Sequence, residues 1–182
     1  GPVIDVGVLS CPPELMRAFP DVPHLLIEPI VEWNEEITQR YDAQKIAYEI
    51  VNVAASDRNG EMNLELSTVI PGRPITHARL TEKASGSNLR AVPVRTVDSL
   101  IDERSLPAPY LLKIDVDGAE LRILEGACTT LRDCSTVVIE AHPRDFIERS
   151  NALVAAGFQL FDIVDPCYYD GRLAQIDLVF LN

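Results

Sequence analysis

The sequence predicts a Rossmann-like α/β domain built on a sheet of about seven strands, mostly parallel, with the last strand running against the others. Short runs rich in Val, Ile and Leu alternate with stretches of helical period, the pattern of a parallel sheet covered on both faces. The distinctive acids fall at the ends of those runs, in DVG, IEP and IDVDG. Near the end of the chain, two strand-like runs are separated only by PCYYDG, too short for a crossover helix, so they must pair antiparallel.

VIDVG (3–7) is the first strand, and Pro12 and Pro13 suit the first turn of a helix over ELMRAF, where a backbone donor would be unpaired anyway. HLLIEP (24–29) is the second strand, and VEWNEEITQRY (31–41) a helix with Val31, Ile37 and Tyr41 on its apolar side. KIAYEIVNVAA (45–55) is the third strand. SDRNGEMNLELS (56–67) places a turn at Asn59-Gly60 before alternating Met62, Leu64 and Leu66, an added edge strand. From 68 to 92 periodicity disappears, and a loop of that length is expected to face substrate.

TVDSLIDE (96–103) is a helix capped by Thr96, with Asp98 in its first turn. YLLKIDV (110–116) is the next strand, AELRILEGACTTL (119–131) a helix in which Leu121, Leu124, Ala127, Cys128 and Leu131 keep the 3.6 period, and STVVIEA (135–141) a strand. FIERSNALVAAG (146–157) is a helix closed by Gly157, and FQLFDIV and AQIDLVFL are the final antiparallel pair.

The 182 residues, 47% hydrophobic and 24% charged, suit one domain over 3–182. No apolar stretch approaches the roughly 18–20 residues of a membrane helix and no signal segment is read, so a cytoplasmic protein with no membrane span is expected. With 16 Lys and Arg against 28 Asp and Glu, a net charge of -12 repels polyanions, and no nucleic-acid partner is expected. Nothing specifies an oligomer. Cys11, Cys128, Cys134 and Cys167 form no CxxC pair and read as reduced thiols.

In such sheets the ligand sits beyond the carboxyl ends of the strands where strand order reverses, so Asp5-Val6-Gly7, Glu28-Pro29 and Asp115-Val116-Asp117 should line one crevice. A dinucleotide would require GxGxxG, whereas residues 7–12 read GVLSCP with one glycine, which disfavours NAD. An acid at the end of the second strand still suits a ribose. S-adenosylmethionine has that ribose, lacks phosphate, and brings a cationic sulfonium that an acidic cleft tolerates.

IDVG at 4–7, LIEP at 26–29, NVAASDRNGE at 52–61, TVDSL at 96–100, LLKIDVDGAELRILEGA at 111–127 and VVIEAHP at 137–143 together resemble the FkbM family of S-adenosylmethionine-dependent methyltransferases. The resemblance spans nearly the whole chain in family order. It implies a class I methyltransferase fold and methylation of a hydroxyl on a sugar, glycolipid or polyketide-type product. One departure is Cys11 where the family has a second glycine, with Leu9 where a small polar residue is common. It prompts an alternative reading, a non-catalytic ligand-binding module on the same fold.

The candidate cofactor-binding residues are Asp5, Gly7, Glu28, Ala55, Asp57 and Asp115, with Ala54 and Ser56 near the adenine. Asp5 is assigned to the cofactor's ammonium group, Gly7 to close backbone approach, and Glu28 to the ribose. Methyl transfer to an alcohol needs in-line placement and loss of a hydroxyl proton, and Asp115, Glu140 and His142 are the catalytic candidates. Glu140 and His142 lie two apart, on one face of a strand, so the carboxylate can orient an imidazole that titrates near neutrality. Glu140 can instead pair with Lys113. Asp115, Asp117, Glu140 and His142 are also candidate ligands of a divalent cation such as Mg, with the chain turning at Gly118 to bring both aspartates to one site. Glu120 reads as a first-turn residue favoured by the helix dipole. Trp33, Tyr168 and Tyr169 read as packing and loop residues, the tyrosines being able to stack on a sugar. His24 and His77 carry no assigned role.

Overall fold

The structure is a computed structural model that describes residues 1–8, 13–68, 75, 77–83, 86 and 88–182. Leu9 and Cys11, and hence the turn after the first glycine, lie outside the described residues.

Strands β1 (Val3–Val6), β2 (His24–Ile27) and β3 (Tyr48–Val51) run parallel, with helices α1 (Pro13–Ala18) and α2 (Asn34–Gln44) between them. A 3-10 turn over Val31–Trp33 precedes α2. Ile37 and Tyr41 are buried as the period requires, but Val31 stands 54% exposed because it belongs to that turn and not to the helix. The single strand expected over 45–55 is two, since the chain breaks after β3 with Val53 N donating to Val51 O at 2.9 Å. Asn52 marks the break by donating to the Glu28 carbonyl at 2.8 Å.

The second piece, β4 (Ala54–Ala55), opens a separate sheet with β5 (Gly60–Ser67), β6 (His77–Thr81) and β7 (Leu89–Arg95), in the order β4-β7-β5-β6. The segment expected to be irregular from 68 to 92 is therefore partly strand, held by antiparallel pairing of β6 and β7 with β5. Residues 69–74, 76, 84, 85 and 87 of that segment lie outside the described residues. Met62, Leu64, Val92 and Val94 bury one face of this sheet against Trp33, Ile37 and Tyr41.

The chain returns through α3 (Val97–Arg104), where the Thr96 hydroxyl accepts from Ser99 N at 3.1 Å, the expected cap. β8 (Tyr110–Ile114) then pairs parallel with β1 on the side opposite β2, so strand order reverses between β1 and β8. The helix expected over 119–131 is broken into α4 (Glu120–Glu125) and α5 (Cys128–Arg132). Gly126 sits at the break, where an added Cβ would lie 2.1 Å from the Ser56 carbonyl, so only glycine permits the contact. Asp98 caps α5, accepting from Thr129 N at 3.0 Å and Thr130 N at 2.7 Å.

β9 (Cys134–Ala141) continues the parallel sheet, α6 (Phe146–Ala155) follows, and β10 (Gln159–Tyr169) and β11 (Arg172–Leu181) form the antiparallel hairpin. β11 inserts beside β9, giving the seven-stranded order β10-β11-β9-β8-β1-β2-β3. Strand alternation sends Ile4, Leu25, Leu112, Val137 and Leu178 into the core beneath α3 to α6. Phe180 joins them, fully buried. Among the described residues, no helix is long and apolar enough to cross a membrane.

Candidate active site

The carboxyl ends of β1, β2 and β8 meet where strand order reverses, and there the structure opens a narrow apolar cleft. Gly7, Ile27, Pro29, Ala54, Ala55 and Val116 form its floor and sides, and Leu64, Ala78 and Leu80 of the second sheet close it from above. Gly7 has φ +89, and an added Cβ would lie 1.8 Å from the Asp115 carbonyl. The glycine is thus required first by the close approach of the ends of the parallel neighbours β1 and β8, which are tied by Asp115 N donating to Val6 O at 2.9 Å.

The three expected backbone corners do converge, but of the acids beside them Asp117 lines this cleft while Asp5, Glu28 and Asp115 do not. Asp5 is 1% exposed and points with Lys113, its register partner, into the sheet face. Its Oδ1 has no hydrogen-bond partner, and burial pushes its carboxyl up to about 6 despite the opposing pull of Lys113. Asp5 is not among the residues that line the apolar cleft. Asp115 is held by Lys113, Nζ to Oδ2 at 2.6 Å. Lys113 thus pairs with Asp115 and not, as the sequence suggested, with Glu140. Burial works against the Lys113 charge, but Asp5, Asp115 and Asp177 outweigh it and raise its pKa.

Glu28 is 2% exposed, and its Oε1 accepts from Ile30 N at 2.8 Å, folding the carboxylate back over Pro29 at the edge of the cleft. Asp57 lies on the loop after β4; the Ser56 hydroxyl at 2.8 Å holds its carboxyl below the usual range, with Arg58 at 3.4 Å a lesser cause. Only Gly7 and Ala55 among the predicted cofactor residues line the cleft directly.

A second, wider and polar cleft adjoins the first, sharing Asp117 with it, and is bordered by Glu65, His77, Arg79, Asn88, Gly118, His142 and Arg144. The chain turns at Gly118, φ +88, as the DVDG spacing required. Asp117 Oδ2 accepts from Ala78 N at 3.2 Å, pinning the turn to β6.

His142 lies just past β9, and its Nδ1 is 2.9 Å from the Ala174 carbonyl on the hairpin. A carbonyl only accepts, so Nδ1 carries the proton and, in the neutral ring, Nε2 keeps its lone pair. The imidazole is therefore oriented by a backbone carbonyl, not by Glu140, while Asp145 Oδ1 accepts from the His142 backbone amide at 2.8 Å. Glu140 instead sits opposite Asp177 across the β9–β11 pairing. Burial, followed by repulsion from Asp115, Glu120 and Asp177, pushes Glu140 up to about 8. It is a protonated acid near neutrality, not an orienting carboxylate. Asp177 rises to about 6, chiefly by burial, with Lys113 opposing.

The four proposed metal ligands do not converge. Asp115 is bound to Lys113 and Asp117 to a backbone amide, and no three His, Cys, Asp or Glu among the described residues are placed to hold a metal ion. The donor set does not fit a divalent cation.

Sequence reasoning missed Arg149, which is 3% exposed on α6 and joins the site's supports. It donates to the Glu140 carbonyl, to Glu120 Oε2 at 2.7 Å and to Asp145 Oδ2 at 3.1 Å. Glu120, which also accepts from Gly118 N at 3.2 Å, is thereby structural. The exposed-looking position of Arg149 in FIERSN gives no sign of this clamp, because Glu120 and Glu140 lie on other elements. His24 is also structural, with Nδ1 3.0 Å from Tyr41 Oη and Nε2 3.0 Å from the Phe19 carbonyl. Tyr168 and Tyr169 lie on β10, 60% and 68% exposed, where the hairpin overhangs the end of β9.

A family model for the methyltransferase FkbM domain matches residues 20–163. The chain is 24% identical over 115 residues to the hexuronic acid methyltransferase AglP of Haloferax volcanii, which covers 63% of this chain and 45% of that protein. Among solved structures, the methyltransferase FkbM from Methylobacillus flagellatus superposes over 98% of this chain and 42% of its own, with a TM-score of 0.64 and 16% identity. Streptococcus pneumoniae Sp1610 in complex with S-adenosyl-L-methionine covers 98% of this chain and 64% of its own, with a TM-score of 0.54 and 13% identity. This chain thus spans less than two thirds of each of these proteins.

Proposed function

The chain belongs to the FkbM methyltransferase family, and from that premise we propose that it is an S-adenosylmethionine-dependent O-methyltransferase acting on a hydroxyl of a sugar, glycolipid or polyketide-type small molecule. The observation that carries this reading is the pair of adjoining clefts sharing Asp117, one apolar and floored by Gly7, the other polar and bordered by His142. The apolar lining of the first cleft suits an adenine ring against Ile27, Ala54 and Ala55. Glu28, beside Pro29, is assigned to the ribose hydroxyls, and Asp57 stays a nearby candidate. The likeness to a hexuronic acid methyltransferase supports a sugar-type acceptor. The acidic net charge of -12 argues against nucleic acid as that acceptor.

S-adenosylmethionine, when bound, supplies an electrophilic methyl group whose C–S bond breaks with its electron pair passing to sulfur. His142 Nε2 takes the proton that the acceptor hydroxyl loses as its oxygen forms the new C–O bond, and later returns that proton to solvent. The Ala174 carbonyl holds the ring in the required tautomer throughout. Asp115 is assigned an electrostatic role through Lys113, since its carboxylate is already paired. Titration calorimetry with S-adenosylmethionine, followed by transfer of a labelled methyl to a panel of hydroxylated acceptors, tests the proposal. Absence of any binding heat would refute it and favour a non-catalytic binding module.

A further inference from the structure

The polar cleft places two arginines beside the proposed reaction centre of an acidic protein. Among its charged lining residues, Glu65 is taken by Lys83, whose Nζ lies 3.1 and 3.2 Å from its two oxygens. Asp117 accepts from the Ala78 amide at 3.2 Å and keeps its charge. Arg79, on β6, has no carboxylate within 4.0 Å among the described residues, although Glu65 is its register partner. Its guanidinium lies over the Gly118 turn, where an added Cβ would meet Nε at 3.7 Å and the NH2 nitrogen at 3.9 Å. Arg144, on the opposite wall, approaches only Asp145 at 3.7 Å, and Asp145 is already engaged by Arg149 at 3.1 Å. His77 and His142 complete the rim.

Two arginines that no carboxylate among the described residues holds closer than 3.7 Å therefore face one cavity that opens onto the cofactor cleft. We infer that this cavity recognises an acceptor bearing an anionic oxygen group, a carboxylate or a phosphate, which Arg79 anchors with help from Arg144, so that the neighbouring hydroxyl is presented to His142. A planar guanidinium matches either group through paired N–H donors, and the wide cleft leaves room for a ring between anchor and base. Arg79 is then a specificity-determining residue. This inference rests on the methyl-transfer reading for what the cavity does, but not for what it binds.

The test uses the protein saturated with S-adenosylhomocysteine and titrates glucuronate, glucose 6-phosphate and glucose as probes. At least one anionic probe should bind about tenfold or more tighter than glucose, the gap should shrink as salt is raised, and whichever anion binds better identifies the group. Arg79→Gln should remove about tenfold to a hundredfold of that preference while leaving S-adenosylhomocysteine affinity within about twofold and the melting temperature unchanged. Arg144→Gln should have a smaller effect in the same direction. Equal binding of all three probes, no binding of any, or a preference that survives Arg79→Gln overturns the inference. If S-adenosylhomocysteine itself fails to bind, the methyl-transfer reading falls, and an anion preference lost in Arg79→Gln in the cofactor-free protein would still sustain this one.

Discussion

Replacing Glu140 by glutamine separates two incompatible electrostatic pictures of the site. Glu140 is 6% exposed, faces Asp177 and has Asp115 and Glu120 nearby, while Lys113 is committed to Asp115. Its carboxyl is raised from 4.5 to about 8, first by burial and then by those acids. The folded protein therefore keeps a proton that the unfolded chain releases, so stability is fully present below pH 4.5 and is lost as pH rises towards 8. Each pH unit across that window costs about 1.4 kcal/mol, and the carboxyl begins to ionise in the folded state near the upper end. Between pH 5 and pH 8 the wild type should lose about 3 kcal/mol from this group alone. Glutamine has the same shape and no such proton. Glu140→Gln should thus match the wild type closely at pH 5 and exceed it by about 3 kcal/mol at pH 8, about 6 to 12 °C in melting temperature for a domain of this size. Urea unfolding at pH 5, 6.5 and 8 measures it. A difference that does not change with pH, or a variant that becomes less stable than the wild type at pH 8, would mean that Glu140 is charged and paired, and the argument would fail.

Three further outcomes are expected. His142→Gln should lower kcat by about 100-fold or more while leaving S-adenosylhomocysteine affinity within about twofold, as for loss of a proton acceptor; equal losses in both would count against the base assignment. Glu28→Gln should weaken S-adenosylhomocysteine binding by about tenfold in calorimetry, yet melt like the wild type, because the amide oxygen can still accept from Ile30 N. Arg149→Met leaves Glu120 buried without its 2.7 Å partner and should cost about 3–5 kcal/mol in urea unfolding, most of which the double variant with Glu120→Gln should recover. A single variant as stable as the wild type would remove the clamp from the account.

Several features were legible because the residues that determine them are contiguous. The Thr96 cap and the Asp117-Gly118 turn each depend on a few neighbouring side chains, and each is found where expected, whereas the helix over 119–131 is broken at Gly126 by its contact with Ser56. The short PCYYDG link likewise dictated an antiparallel final pair, although the strands run further into it, to Tyr169 and from Arg172. The second sheet was less visible. β6 carries HARLT, without apolar alternation, and becomes a strand because β5 offers it a partner.

For the site, sequence alone determined which backbone corners meet: a glycine after β1, a proline after β2 and a DVDG turn after β8 can occupy only the carboxyl edge once the strands are parallel. It could not decide what each acid does there. That depends on register across the sheet, which sets Asp5 against Lys113 and Asp177 against Glu140, and so turns supposed ligand groups into a buried charge cluster. It depends equally on long-range contacts such as the Ala174 carbonyl at His142 and the open guanidinium of Arg79 over Gly118. Local propensity encodes where the chain turns, but the protonation and partnership of a side chain are fixed by whatever the rest of the fold brings within a few ångströms of it.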